Sequence, residues 1–110
     1  KNEHGAETVS GASIHVAAQT PSPGTTVEIG LDPAGNGDGS TTGVAAVIAS
    51  ETAAPAGVTF TASPAGSPLA IGALAAGQCR AVWVKRIVSA GAAALASDGF
   101  TLTVTGKPPL

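Results

Sequence analysis

Few side chains in this 110-residue sequence are of types that perform catalysis. The only imidazoles are His4 and His15, and the only thiol is Cys79. None of them lies in a serine elbow, a CxxC pair or an HExxH motif, and abundant serine alone does not define a Ser/His/Asp triad. A lone cysteine cannot form an intrachain disulfide, and in a β-rich pattern it is typical of a small buried apolar residue. The sequence therefore predicts a protein that is not an enzyme and holds no cofactor.

The best candidate for a metal site is the loop at residues 32–40. Its Asp32, Asn36 and Asp38 carry oxygen ligands of the kind that calcium prefers. The spacing departs from an EF-hand, because Ala34 stands at the third position and no glutamate closes the loop. The glycines of the loop also do not form a phosphate-binding loop, since no helical pattern follows them. We therefore predict a turn-rich surface loop without a metal, and calcium binding stays open as the alternative.

Residues 77–86 hold the only tryptophan, the only cysteine and three of the five basic residues. The adjacent Lys85 and Arg86 could be interpreted as a nucleic-acid patch. The formal net charge of -2 and the lack of a second basic cluster argue against that interpretation, because nucleic-acid binding depends on clustered positive charge. We expect no nucleic-acid partner, and we interpret Arg80, Trp83, Lys85 and Arg86 as a candidate protein interface.

The same segment alternates in the manner of a β-strand. Val82, Val84 and Val88 fall on one face, and Trp83 falls on the other. We expect the valines to point into the core and Trp83 to lie on the outer face, where its ring covers neighbouring strand atoms or a partner chain. The alternative places Trp83 at the centre of the core and the valines outside.

Length and composition fit one domain that spans residues 1–110. Aromatic residues make up only 3%, charged residues only 11%, and methionine is absent, so the core must consist of Val, Ile, Leu and Ala. Ordinary soluble domains carry roughly 25% charged residues. The uncharged surface indicates either coverage by neighbours in an assembly or a tolerant Thr/Ser surface on a monomer. No apolar run is long enough to cross a membrane, no signal peptide is visible, and the missing initiator methionine leads us to expect that an N-terminal portion of a longer chain is lacking.

Period-2 alternation interrupted by Gly/Pro clusters runs through the chain and predicts short antiparallel strands. The fold that we expect is all-β, an immunoglobulin-like antiparallel sandwich of about seven strands, with a jelly roll or a small barrel as the alternative. We also expect a turn at residues 20–24, a loop at residues 32–43 and a loop rather than a helical turn at residues 90–96, and we expect Phe100 to be buried. The predicted strands are residues 13–18, 26–31, 44–49, 58–61, 69–71, 78–88 and 100–105.

Five stretches of the sequence resemble a family of small structural proteins encoded among the virion genes of tailed bacteriophages and prophages. The similarity covers nearly the whole chain, although no single motif in it is diagnostic. Members of that family carry a further portion before the Lys-Asn-x-His stretch. The resemblance implies a component of the virus particle and assigns no catalytic residue. The stretches that carry it are residues 1–4, 27–35, 54–60, 77–86 and 98–102.

Two classes of function follow from these observations. The first is a non-enzymatic virion component, such as a capsid decoration, head fibre or tail-associated protein, which is made in the host cytoplasm and contacts other virion proteins and copies of itself. The second is a receptor- or glycan-binding or spacer module of a phage fibre or a bacterial surface protein. A glycan site would need exposed aromatic platforms, for which the sequence offers only Phe60, Trp83 and Phe100.

Overall fold

Five segments of the chain form β-strands and no segment forms a helix among the residues that the structure, a computed structural model, describes: 1–20, 23–96 and 98–107. None of these residues thus belongs to a helix that could span a membrane. Pro21 and Ser22 of the predicted 20–24 turn lie outside the described residues, whereas Gly24 has the positive φ of 80° that a turn requires. The strands are β1 (Val9–Thr20), β2 (Thr25–Gly37), β3 (Leu69–Leu74), β4 (Cys79–Val88) and β5 (Gly99–Lys107).

The strands form two antiparallel sheets. One sheet has the order β3-β1-β5 and the other consists of β2 and β4. The all-β prediction is therefore confirmed. The expected number of about seven strands is wrong for the described chain, since residues 44–49 form no strand and residues 58–61 contribute only a single bridge, from Thr61 to Ile29. Segment 90–96 contains no helix, as predicted.

The predicted 32–43 loop begins later than expected, because β2 continues through Asp32 to Gly37. The pairing of β2 with β4 shifts in register between Leu31 and Asn36. Pro33 and a glycine at positive φ, Gly35 (φ 79°), lie in this interval. Proline supplies no main-chain donor and is confined to bulges or edges in sheets, so the sequence signals that predict a loop here mark an irregular part of a strand instead.

The core lies between the two sheets and is built from small aliphatic residues. Ile14 and Val16 of β1 face Val27 and Ile29 of β2, and all four are buried. These residues sit two apart on their strands, as period-2 alternation predicts. Four half-buried side chains pack against them: Leu69, Ile71, Val82 and Leu102.

Residues 58–64 cross from one sheet to the other. Ile29 and Thr61 exchange two main-chain hydrogen bonds of 2.9 Å each, and the amide of Val16 donates to the carbonyl of Ser63 at 2.9 Å. Ser63 is buried and has a φ of +41°, an uncommon value for a residue with a side chain. The crossing segment thus connects β2 with β1 through hydrogen bonds on both sides of the core.

One side of the space between the sheets is open, because a two-stranded sheet faces a three-stranded one. Val84 and Val88 of β4 share the inward face with Val82, yet their side chains are 40% and 58% exposed. On β5, Phe100 and Val104 are 41% and 64% exposed. The expected burial of Phe100 is therefore wrong. Its strand alternates as a buried strand does, but Phe100 pairs with the exposed Gln19 at the end of β1, beyond the buried Ile14 and Val16.

Candidate functional site

Among the described strands, β4 is hydrogen-bonded to a neighbour along one edge only. Its residues pair with β2, with Trp83 opposite Gly30 and Ile29 opposite Val84. The amide of Ser89 donates to the carbonyl of Gly24 at 2.9 Å, which fixes the alternation: odd-numbered residues of β4 direct their main-chain groups toward β2. The main-chain groups of the even-numbered residues point to the other edge, where no described strand pairs with them. We call this edge the free edge of β4.

Trp83 lies on the outer face of the β2-β4 sheet, as the sequence predicts, and is half-buried there. Its indole N–H donates to Oδ2 of Asp32 at 2.7 Å. Asp32 is 1% exposed and accepts two further hydrogen bonds, from the amides of Ala46 (3.0 Å) and Ala34 (2.8 Å). These donors, with the amide of Ala46 the strongest and the Trp83 indole next, lower the pKa of Asp32 below its ordinary value although burial opposes the shift. The Asp32 carboxylate is therefore a structural anchor of the outer face.

Lys85 and Arg86, interpreted from the sequence as interface residues, each have an acidic partner. The ammonium of Lys85 lies 2.6 Å from Oε2 of Glu28, its cross-strand neighbour on β2, and 4.8 Å from the centre of the Phe60 ring. Arg86 forms a close ion pair with Asp98, which precedes β5. The positive charge of both side chains is thus balanced within the chain.

Arg80 differs from the other two basic residues of β4. Its Nε atom is buried and has no hydrogen-bond partner among the described residues. The closest polar contact that the structure gives its guanidinium is a long one, 3.5 Å from Nη1 to Oδ1 of Asn36. Arg80 lines a cavity of about 460 Å³ whose wall is mainly aliphatic and includes Ile14, Val82 and Val104. The Arg80 side chain, whose guanidinium is weakly hydrogen-bonded within the described residues, therefore lines an apolar, open-sided cavity.

A second groove, of about 690 Å³, follows the other half of β4. Consecutive residues 83–88 line it on one side, and Ile48, Pro55 and Phe60 line it on the other. Three of the four predicted interface residues, Trp83 and its basic neighbours, therefore lie in one groove, and Arg80 lies in the adjoining cavity. The structure places all four along β4 but divides them between two depressions.

Sequence reasoning missed the role of Asp32, which it assigned to a metal-binding or surface loop. A signal was present, because Asp32 continues the alternating strand that begins at residue 26 and stands two positions after the outward-facing Gly30. One sequence does not show which strands pair with each other, so the contact between Asp32 and Trp83 could not be predicted. The contact of Asn36 with β3, where its side-chain amide donates to the carbonyl of Ala73 at 2.8 Å, carried no sequence signal either.

Both carboxylates of loop 32–40 are occupied by donors of the chain: Asp32 by the donors described above, and Asp38 by the main chain that follows it. Asp38 is exposed and accepts hydrogen bonds from the amides of Ser40, Thr41 and Thr42 at 2.7 to 3.1 Å, and these hold its pKa far below the ordinary range. A metal ion would have to compete with those donors for the same oxygens. Within the described part of the chain, no three His, Cys, Asp or Glu side chains are grouped as a metal site.

The remaining chemically active side chains lie apart from the grooves. His15 is half-buried on the outer face of β1 opposite Thr103, and His4 is exposed before that strand begins. Cys79 is half-buried, and its sulfur lies so close to Gly39 that a Cβ atom there would approach it to 2.8 Å. The thiol thus fills space between β4 and the 38–43 loop.

Comparison with known proteins gives no match to this chain among protein-family models, curated proteins or solved structures. The functional features of the described chain are the free edge of β4 and the two grooves beside it.

Proposed function

We propose that this protein is a non-enzymatic structural component of a tailed-phage virion, such as a capsid decoration, head fibre or tail-associated protein. It is made in the host cytoplasm and acts in the particle through contacts with other virion proteins and with copies of itself. The observation that carries the proposal is the open side of the sandwich, where a strand edge without a described partner lies next to exposed apolar side chains.

The exposed apolar residues favour an assembly partner. Val84, Val88, Phe100 and Val104 lie on strands and face the space between the sheets, where a completed sandwich would bury them. Burial of such side chains contributes roughly 1.5–3 kcal/mol each relative to full exposure. Exposed strand edges are also templates for pairing with another chain. A protein that functions inside a particle has these surfaces covered by its neighbours.

Two sequence features support the same class of function. Only 11% of the residues are charged, so the surface has little of the charge repulsion that keeps isolated proteins apart. The resemblance to small virion proteins of tailed phages covers nearly the whole chain. An immunoglobulin-like sandwich remains our proposal for the architecture, supported by two antiparallel sheets that enclose one aliphatic core.

The glycan-binding alternative has weaker support. Carbohydrate recognition uses exposed aromatic faces, but Trp83 is half-buried with its N–H committed to Asp32, and Lys85 lies over the ring of Phe60. Phe100 is more open, at 41% exposure. These three rings lie on different structural elements, and their surroundings favour packing roles.

Quantitative mass spectrometry of purified phage particles tests the proposal. We expect this protein to be present in a fixed number of copies that matches a symmetry of the capsid or tail, and to be missing from particles of a gene-deletion phage. Its absence from particles, combined with strictly monomeric behaviour of the purified protein, would overturn the proposal.

A further inference from the structure

We propose that the free edge of β4 receives an antiparallel β-strand from a different polypeptide chain, whose inward side chains are apolar and which places a carboxylate against Arg80. This inference rests on the proposed function, because it names the kind of partner that the open side would bind. The added strand extends the β2-β4 sheet to three strands, the same number as in the β3-β1-β5 sheet.

The main chain of β4 presents hydrogen-bonding groups at the free edge. The even-numbered residues Val82, Val84 and Arg86 direct amide and carbonyl groups to the free edge. No described main-chain group forms a hydrogen bond with them there. Unpaired ladder groups of this kind bind extended peptides by strand addition. Ten consecutive residues of β4 are in extended conformation, which is long enough for such pairing.

Residues 1–2 indicate the direction of the added strand. The amide of Asn2 donates to the carbonyl of Gln78 at 2.7 Å, and the amide of Gly77 donates to the carbonyl of Asn2 at 3.0 Å. One residue thus bonds to two successive residues of the other segment, as in an antiparallel bulge. Gln78 has the same parity as the outward-pointing residues of β4, so this contact lies on the free-edge side. Antiparallel pairing is therefore already present at the start of this edge. In the same register, a residue joined before Lys1 would lie opposite Arg80.

The side chains on either side of the edge define which residues the strand must carry. The inward position opposite Val82 would face the aliphatic cavity of about 460 Å³, which Val104 also lines, and the inward position opposite Val84 would face the groove of about 690 Å³. Apolar side chains there would bury surface that is now open to solvent. The groove along residues 83–88 provides the space for the second half of the strand.

The positive charge of Arg80 indicates which side chain the added strand carries at that end of β4. Lys85 and Arg86 are paired with Glu28 and Asp98, whereas Arg80 has a buried Nε without a partner. A carboxylate on the added strand would give the Nη end of the guanidinium, which has only the 3.5 Å contact with Asn36, a charge-assisted hydrogen bond. The described strands of a second copy offer no uncommitted carboxylate, because β3 has no charged residue, β4 has only basic ones and β5 has only Lys107. The two acidic residues of β2 are engaged within the chain, Glu28 with Lys85 and Asp32 with the Trp83 indole. We therefore assign the added strand to a different protein.

A tethered strand tests the geometry without knowledge of the natural partner. The extension Thr-Val-Thr-Val-Thr-Glu, joined directly to Lys1, places its glutamate opposite Arg80 and its valines opposite Val82 and Val84. The matched control, Val-Thr-Val-Thr-Glu-Thr, has the same composition but turns its valines to the outer face, since a shift of one residue exchanges the two faces of a strand. We expect the first extension to raise Tm by about 4 °C or more and to slow amide exchange at Val82 and Val84, and the control to do neither.

A second comparison isolates the carboxylate. Arg80→Gln should lower the Tm of the extended protein by more than it lowers that of the unextended protein, because only the former contains the new ion pair. The inference is overturned by equal stabilisation from the two extensions, by unchanged exchange at the even-numbered amides, or by a self-associated form of the unextended chain in which those amides become protected. Stabilisation of the extended chain together with absence from virions would instead overturn the proposed function and leave the strand site standing.

Discussion

The indole N–H of Trp83 on β4 donates to the carboxylate of Asp32 on β2 across 2.7 Å, and this contact fixes the outer face of the two-stranded sheet. Asp32 also binds the amide of Ala46, which belongs to the irregular segment that follows β2. One buried carboxylate therefore connects both strands of the sheet with the segment that covers them. The side chain of Trp83 is therefore a packing residue on the outer face of the sheet. The free edge of β4 stays available for a partner.

Asp32→Asn is expected to destabilise the fold. Asparagine replaces one acceptor oxygen by an NH₂ group, which cannot accept a hydrogen bond from the Ala34 amide, the Ala46 amide or the Trp83 indole. Loss of a buried acceptor costs about 1–3 kcal/mol. Urea unfolding followed by the single tryptophan's fluorescence measures the free energy of unfolding. An unchanged midpoint would show that the carboxylate contributes nothing to stability.

Trp83→Phe tests the other partner of the same contact. The substitution removes the N–H donor and keeps an aromatic ring, so part of the packing is retained. Because Asp32 and Trp83 are in direct contact, the two substitutions combined should destabilise by less than the sum of the single effects. Circular dichroism during urea unfolding provides the measurement, since this variant has no tryptophan. Strict additivity would contradict the hydrogen bond.

Stability should fall in acid through the same carboxylate. The pKa of Asp32 is lowered in the folded state, so its contribution is fully present above the unfolded-state pKa of about 3.9 and is lost as the pH falls through the folded-state value. Asp38 acts in the same direction. We expect the free energy of unfolding to decline below about pH 4 and the decline to be smaller in Asp32→Asn. Identical pH profiles of the variant and the parent protein would contradict the assignment.

Gly30→Ala should destabilise because the chain passes directly over this glycine. A Cβ atom at Gly30 would lie 2.6 Å from both the carbonyl oxygen of Thr59 and Cγ1 of Val58. Forced overpacking of this kind typically costs about 1–3 kcal/mol. Gly66→Ala is the matched control, since a Cβ atom there meets nothing within 4 Å, and its effect should stay within about 0.5 kcal/mol. Equal unfolding midpoints for the two variants would show that residues 58–59 do not pass this close to β2.

Amide exchange along β4 should alternate in the isolated protein. The amides of Trp83, Lys85 and Ile87 point toward β2 and should exchange slowly, whereas those of Val82 and Val84 point to the free edge and should exchange fast. Residue-resolved NMR exchange measures the pattern. Uniform protection of consecutive residues would mean that both edges of β4 are paired.

Alternation in the sequence predicted the strands that form the core. Residues 26–31 and 100–105 lie within β2 and β5, and Val82 packs against the core. The same alternation could not show that residues 44–49 and 58–61 fail to become strands, because a strand also needs a neighbour with free main-chain groups. Apolar composition alone does not provide that neighbour.

The candidate site was predicted in part for a related reason. Residue types and alternation in 77–86 predicted a strand there and the outward face of Trp83, and both are confirmed. The role of this strand as an interface stays a prediction. The exposure of Val84, Val88 and Phe100 was not predicted, since their pattern is that of buried residues, whereas the structure leaves each of them at least 40% exposed. The alternation of residues in the sequence indicates which face of a strand is apolar. Whether that face is covered depends on the number of strands in the opposite sheet.

The central claim is that a partner strand covers the free edge of β4 in the assembled particle. Hydrogen exchange of a peptide spanning residues 79–88, compared between the isolated protein and purified virions, tests it most directly. We predict that the fast-exchanging half of the β4 amides becomes protected in virions while the amides bonded to β2 change little. Equal exchange of this peptide in the two states, in virions that contain the protein, would contradict the claim.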